Sequence, residues 1–384
     1  MRIVQTVFGV FHHFDLAREL YRRGHLERIY SSWPWKRIQR EGIPRDKVKT
    51  FPWVHTPEFV LKRAKLLPRP VEDLTGYLNA LTFDEYTTRT LPDCDALIGI
   101  SGSSLKAGRL LQTRGGVFFC DRGSSHQRYQ EQIVSDEYRR WGVDAPVSDP
   151  RDTAREEEIY TMANGITVPS SFAARSFVEM GFDAEKIHII PYGVRLERFK
   201  PTGEPPTDRL ELLFVGNVGL RKGVPYLLEA FARLKHPNKR LRVVGAMSRE
   251  MPPVLERLPK DNVEILGILP QQQVAEMMSR SHLLVLPSVE EGLALVQGQA
   301  LACGCPVLAT TNTGGEDLFQ DGVEGFIVPI RDVEALLHRM EQIADDPALQ
   351  QRMRAAGLER VKHLGGWETY GDRWEALLQK SLSQ

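Results

Sequence analysis

Two stretches of the chain carry residues that could do chemistry together. In LLVLPSVEEGLALVQGQALACGCPV, residues 283–307, an apolar run breaks at Pro287 and Ser288, presents Glu290 and Glu291, and turns apolar at helical spacing before Gly304. This reads as strand, loop, helix and next strand. A buried parallel strand ending at Pro287 places the next residues at the carboxyl edge of a sheet, where open α/β sheets bind ligands. Gly292 lets backbone come close to a ligand, and the next helix aims free N–H groups and its positive dipole end at the same crevice. Such a place attracts a phosphate. A carboxylate beside it makes more sense gripping a neutral group joined to that phosphate, such as a sugar hydroxyl, and Glu291 is placed to do so. Gln299 lies roughly two turns along the helix at 3.6 residues per turn, so it can face the same side.

The second stretch is LELLFVGNVGLRKGVPYLLEAFARL. Leu212–Val215 reads as a buried strand, Gly216–Gly223 as a loop, and Pro225 opens a helix. Lys222 therefore sits close to a helix N-terminus, a favourable place to meet a diphosphate. The P-loop spacing GxxxxGK[ST] is absent, which argues against an NTPase, and the first strand lacks the GxGxxG of a dinucleotide fold.

Those residues resemble the signature of the retaining family 4 glycosyltransferases, with similarity strongest from Ile187 to Pro329. The family carries a pair of Glu residues separated by seven positions after a proline-serine strand end. Glu291 fills the first position, Gly292, Leu293, Ala294 and Leu295 fill the phosphate-facing loop, and Gln299 stands where the second Glu, a ribose ligand, is usual. Lys222 matches the family Lys, while Asn217 occupies the usual Arg position and Arg221 is the candidate for the missing charge. The resemblance also implies a glycine near the donor phosphates, for which Gly9 is the candidate. It implies a histidine from the first domain on the donor sugar, for which His126 in DRGSSHQRYQ is the candidate, against a capping or surface role. Tyr192, Gly193, Val194 and Arg195 stand where the family closes its first domain.

The fold implied is GT-B, an α/β architecture of two Rossmann-like doubly wound domains facing a cleft. Residues 1–197 would form the acceptor-binding domain, 198–365 the nucleotide-sugar domain, and 366–384 a helix crossing back to the first. The residues agree independently: strand-like runs at Arg2–Val7, Ala96–Ile100, Val117–Cys120 and Asn164–Pro169 alternate with helical patterns, and the alternation resumes after PTGEPPTDR, a proline-rich linker near 195–209.

Fifty basic against fifty acidic residues exclude a general nucleic-acid binder. Residues 1–70 hold 15 Lys plus Arg against 6 Asp plus Glu, 15 − 6 = +9. Within them, the stretch 33–70 mixes tryptophans, prolines and basic residues, readable either as a membrane-surface patch or as a solvated basic surface. His12 and His13 are read as ordinary loop or cleft residues, since adjacent side chains rarely converge on one ion, and no metal is expected. Four cysteines without metal spacing, no leader-like N-terminus and no long apolar run fit a cytoplasmic protein, peripheral on the inner membrane face if the patch is real.

The expected function is sugar transfer from a nucleotide-sugar co-substrate, a UDP-sugar, to a hydroxyl of a glycan, lipid-linked or small-molecule acceptor, with Lys222, Glu291 and His126 at the reaction centre and no other cofactor. A silent nucleotide-sugar-binding relative and a nucleotide-sugar epimerase are the alternatives.

Overall fold

The computed structural model describes residues 1–63, 69–145, 148–194 and 198–383. The strands pair in parallel throughout, and the central apolar runs are buried on both faces, as suits strands without polar alternation. The first sheet comprises β1 (Ile3–Val7), β2 (Leu26–Ser31), β3 (Val48–Thr50), β4 (Ala96–Ile100), β5 (Val117–Asp121), β6 (Gly165–Val168) and β7 (Ile187–Ile189), in the order β3-β2-β1-β4-β5-β6-β7. The second comprises β8 (Leu210–Val215), β9 (Lys239–Val244), β10 (Val263–Gly267), β11 (Leu283–Leu286), β12 (Val307–Thr310) and β13 (Gly325–Val328), in the order β10-β9-β8-β11-β12-β13. Each order reverses direction beside its first strand, between β1 and β4 and between β8 and β11. Loops leaving those pairs diverge to opposite faces and open a crevice. The GT-B architecture is thus present.

Its third part is the C-terminal helix Trp367–Leu382. Tyr370, Trp374 and Leu378 recur every four residues on one face and are fully or almost fully buried, which draws this helix back onto the first domain. Trp374 meets Phe119 of β5 edge-on at 6.0 Å, and Arg23 donates to Asp372 at 2.6 Å and Glu375 at 2.8 Å. The chain crosses between domains twice at nearly one place. Val194 N–H donates to the Gly365 carbonyl at 3.5 Å, and a Cβ on Gly193 would lie 2.4 Å from Trp367 N, so no larger residue fits there. Arg195 and the first residues of the expected linker lie outside the described residues.

The basic aromatic stretch divides. Trp33 is only 7% exposed, covered by the Arg37 guanidinium at 3.6 Å and met edge-on by His55 and Phe59, so it is core rather than membrane anchor. Trp53 is 75% exposed, and Val60, Val71, Leu74 and Leu78 on the helices His55–Arg63 and Arg69–Thr90 are exposed too. Residues 64–68 of the stretch lie outside the described residues. Among the described residues no helix is long and apolar enough to cross a membrane.

Truncating Trp374 to Ala removes a whole buried ring and should cost about 3–5 kcal/mol, read as a clear drop in the thermal unfolding midpoint. The same truncation at exposed Trp53 should leave that midpoint unchanged; equal effects would contradict the docking of the C-terminal helix.

Candidate functional site

The two sequence stretches meet at the switch point of the second sheet. The loop after β8 and the loop after β11 leave neighbouring strands, and Val289 N–H donates to the Arg221 carbonyl at 2.9 Å. Gly223 has φ +66°, and a Cβ there would lie 1.9 Å from the Pro287 carbonyl oxygen, so only glycine lets the loops approach this closely. The β12 exit fixes the second loop from its other side. Glu291 N–H donates to Asn312 O at 2.9 Å, Ala294 N–H to Thr313 O at 3.1 Å, and the buried Gln297 amide to Thr313 O at 2.9 Å. Helix Leu295–Ala302 begins there with no side chain capping it, which leaves its dipole end unneutralised.

Within this frame the Lys222 ammonium and the Glu291 carboxylate form a direct ion pair, both largely enclosed, with Ser288 Oγ also donating to Glu291 at 3.3 Å. Burial first, then the neighbouring Arg221 guanidinium, pushes Lys222 down to about 7, with Glu290 opposing. A lysine so placed is ready to gain from an anion that offers more charge than one carboxylate. Arg221 is less available than expected: its Nη1 donates to Glu290 Oε2 at 3.0 Å. Asn217 is exposed on the same loop. Gln299 is half-buried on the first helix beyond the loop, and its amide has no hydrogen-bond partner among the described residues.

Glu290 has a different role from its neighbour. Wholly buried, it accepts from Ser124 Oγ and Ser125 Oγ at 2.7 Å each and from Gln130 Nε2 at 2.8 Å, all on the first domain, as well as from Arg221 on the second. Burial alone would raise its carboxyl, but Arg221 and these donors hold it below the usual carboxylate range. Ser170 Oγ donates to the Gly292 carbonyl, and a Cβ on Gly292 would lie 2.1 Å from Gly123 O. Gly292 therefore serves a close approach of the two domains as well as of any ligand.

Two expected residues fall elsewhere. His126 is 1% exposed and caps the helix Gln127–Arg140, its Nδ1 accepting from Arg128 N at 3.2 Å while its ring lies among Tyr160, Phe177 and Phe182. Burial lowers it to about 4. It belongs to the aromatic interior, so the capping role holds and the sugar contact does not. Gly9, with φ +77°, spends its N–H on Ser32 Oγ at 2.9 Å and faces Trp33, which a Cβ would meet at 2.5 Å. Its freedom serves packing inside the first domain.

The adjacent histidines do converge, through the strand-end acid Asp121, which was not among the expected site residues. His12 Nε2 lies 2.7 Å and His13 Nε2 3.4 Å from Asp121 Oδ2, with ligand-capable atoms of all three within 4.8 Å of one another. Thr167 Oγ1 donates to the other Asp121 oxygen at 3.0 Å. Burial would raise Asp121, but His12, then His13 and Thr167, hold it below its usual value, and burial lowers His13 to about 3. The His12 ring also lies 4.3 Å from the Tyr192 ring, tilted by 33°, beside the domain crossing. The signals for Glu290 and Asp121 were present as acids at strand ends; their partners are distant in sequence.

A cavity of about 920 Å³ lies away from this cleft, between the segment Glu204–Leu210 and the helix containing Gln350 and Arg354, at the amino end of β8. Ligands of open α/β sheets bind at the opposite edge.

Residues 196–360 match the family model described as glycosyl transferases group 1. The chain is 29% identical over 256 residues to D-inositol 3-phosphate glycosyltransferase 1 of Catenulispora acidiphila, a match covering 61% of each chain, so it spans under two thirds of that relative. In structure it resembles sucrose-phosphate synthase from Thermosynechococcus elongatus, with a TM-score of 0.74, 20% identity and full coverage of both chains. It also resembles Anabaena Alr3699/HepE in complex with UDP and glucose, with a TM-score of 0.69 and 15% identity over 99% of this chain and 100% of that one. At such identities these structures bear on fold alone.

The lowered Lys222 gives a pH signature. An anion beside the ammonium favours its charged form and raises its pKa, so above about pH 7 binding must take up a proton and affinity must fall. UDP-glucose is a suitable probe, because its phosphates lose no proton in this range. Calorimetric titration should show its affinity falling by up to about tenfold per unit as pH rises from about 7 to 9, whereas Lys222→Arg should flatten the profile. A profile equally steep in both would move the titrating group elsewhere.

Proposed function

Because residues 196–360 match the glycosyl transferases group 1 family model, we propose that this chain is a retaining glycosyltransferase that moves a sugar from a UDP-sugar to an acceptor hydroxyl, in glycan, glycolipid or polysaccharide biosynthesis. The observation that carries the reading is the Lys222–Glu291 pair at the second switch point, beside an uncapped helix N-terminus.

In this reading the diphosphate lies against Lys222 and the turn Gly292–Leu295, Glu291 holds the sugar hydroxyls and Gln299 the ribose. The bond from the anomeric carbon to the diphosphate breaks as the acceptor oxygen bonds to that carbon from the same face, and the acceptor proton passes to the leaving phosphate. Charge built up on the diphosphate is met by fixed groups in a site shielded from water, where they act most strongly. The contacts from Glu290 to Ser124, Ser125 and Gln130 hold the domains together, which would exclude water from the donor. No metal is assigned a role. The donor class is proposed by analogy with the Anabaena protein of the same fold, whose structure holds UDP and glucose. The exposed Trp53, Val60, Val71, Leu74 and Leu78, in or just after the stretch 1–70 with its excess of nine positive charges, support peripheral contact with an anionic membrane, and a cytoplasmic setting on its inner face.

Incubation with UDP-sugars and acceptors should release UDP and yield an axial-to-axial product, unaffected by EDTA; release of an epimerised donor would instead identify an epimerase. Lys222→Ala should lower kcat by about 10²–10³-fold, the worth of one preorganised electrostatic group, with the fold intact by circular dichroism. Unchanged turnover would sink the assignment, and no turnover in the native chain with any nucleotide sugar would favour a silent binder. Co-sedimentation with phosphatidylserine vesicles should weaken in Trp53→Ser; binding indifferent to that change would remove the membrane contact.

A further inference from the structure

The first sheet has a switch-point crevice of its own, a cavity of about 440 Å³ walled by Phe8 after β1 and by Ser101 and Gly102 after β4. Its lining carries the carboxylates Glu58, Asp73, Asp149, Asp152 and Glu156 against the single guanidinium of Arg155. Among the described residues, the neighbours of the four aspartates and glutamates other than Glu58 do not restore neutrality. Arg155 is spent on Asp84, Arg122 reaches Glu156 at 3.0 Å, and Arg151 reaches Asp149 at 2.5 Å. Leaving Glu58 aside and counting these partners, five carboxylates meet three guanidiniums among the described residues, 5 − 3 = 2 negative charges in excess.

A separate observation points to a ligand. Asn79 lines the cavity at 5% exposure, its Nδ2 is paired with His55 Nδ1 at 3.0 Å, and its Oδ1 has no hydrogen-bond partner. A buried amide oxygen left without a donor costs free energy that a donating ligand would recover. The most strained carboxylate faces the same space: burial, then Asp149 and Glu156, pushes Asp152 up to about 6. What the cavity lacks is a hydrogen-bond donor with positive charge.

The cavity is also wired to the donor side. Glu156 on its wall pairs with Arg122, Arg122 donates to Gln130 at 2.8 Å, and Gln130 donates to Glu290, the neighbour of Glu291.

We propose that this cavity binds the acceptor, and that the acceptor carries an amine, as an amino sugar or aminocyclitol does, with its ammonium held by Asp152 and Asp73 and by the Asn79 carbonyl. The acceptor role rests on the glycosyltransferase reading; the amine site itself does not. The amine is a handle for recognition. A hydroxyl of the same molecule is the nucleophile, whose oxygen bonds to the anomeric carbon as the bond to the diphosphate breaks and whose proton leaves with that diphosphate. Acceptors bearing phosphate or carboxylate meet repulsion here.

Glucosamine and N-acetylglucosamine differ in this charge and serve as probes. With the full chain at neutral pH, glucosamine should raise the melting temperature and bind about tenfold or more tightly than its N-acetyl form, the worth of one charge-assisted hydrogen bond. Asp152→Asn and Asp73→Asn should each reduce that preference while keeping the shift produced by UDP, which reports an intact second domain. Asp149 is unsuitable for substitution because it caps the helix Pro150–Met162. Equal binding of the two sugars by the native chain, or an undiminished preference in both variants, would overturn the proposal. A preserved amine preference with no UDP shift and no UDP release from any UDP-sugar would instead leave the site standing and refute the transferase reading.

Discussion

One ammonium held out of water against one carboxylate, where two strand-end loops cross, is the interaction on which the rest of the site depends. Lys222 cannot reach Glu291 unless the β8 loop closes onto Pro287, and that closure needs a residue with no side chain at Gly223. An enclosed ammonium next to a guanidinium is poorly solvated, and the carboxylate supplies part of what water would have given. The pair is therefore poised rather than saturated. In the proposed reading an arriving diphosphate would share the lysine and the helix N-terminus and leave Glu291 for hydroxyls.

The two consecutive acids show how one loop serves two ends. Glu291 faces the lysine of its own domain, while Glu290 turns to the serines and glutamine of the other, taking Arg221 with it. That division fixes which cation is available: Arg221 balances a charge that joins the domains, and Lys222 is left for the ligand. In the proposed reading the contacts of Glu290 and Gly292 that join the domains lie beside the donor site, so domain closure and site assembly would be coupled through adjacent residues.

Much of this was legible in the sequence, for identifiable reasons. Strand, loop and helix succession is local, and parallel strands buried on both faces announce themselves as short apolar runs, so most strands of both sheets and the C-terminal helix could be read, whereas β2 and β3, which mix charged with apolar residues, were not. Lys222 and Glu291 each sit at a strand end, which places them at the same edge before any coordinates are known. Other features were hidden because they depend on contacts between distant segments. His126 is followed by a helix it caps, and only the packing of Tyr160, Phe177 and Phe182 shows that its ring points inward. The convergence of His12 and His13 required Asp121 from another strand. Gly9 looked like a ligand-facing glycine, and the indole of Trp33 explains it instead.

The most direct test of the central claim is a crystal structure of the chain with UDP. The diphosphate should lie within hydrogen-bond reach of Lys222 Nζ and of the backbone N–H groups at the start of helix Leu295–Ala302. Density for UDP at the amino edge of the second sheet, in the large cavity between Pro205 and Arg354, with the Lys222–Glu291 pair untouched, would contradict the account.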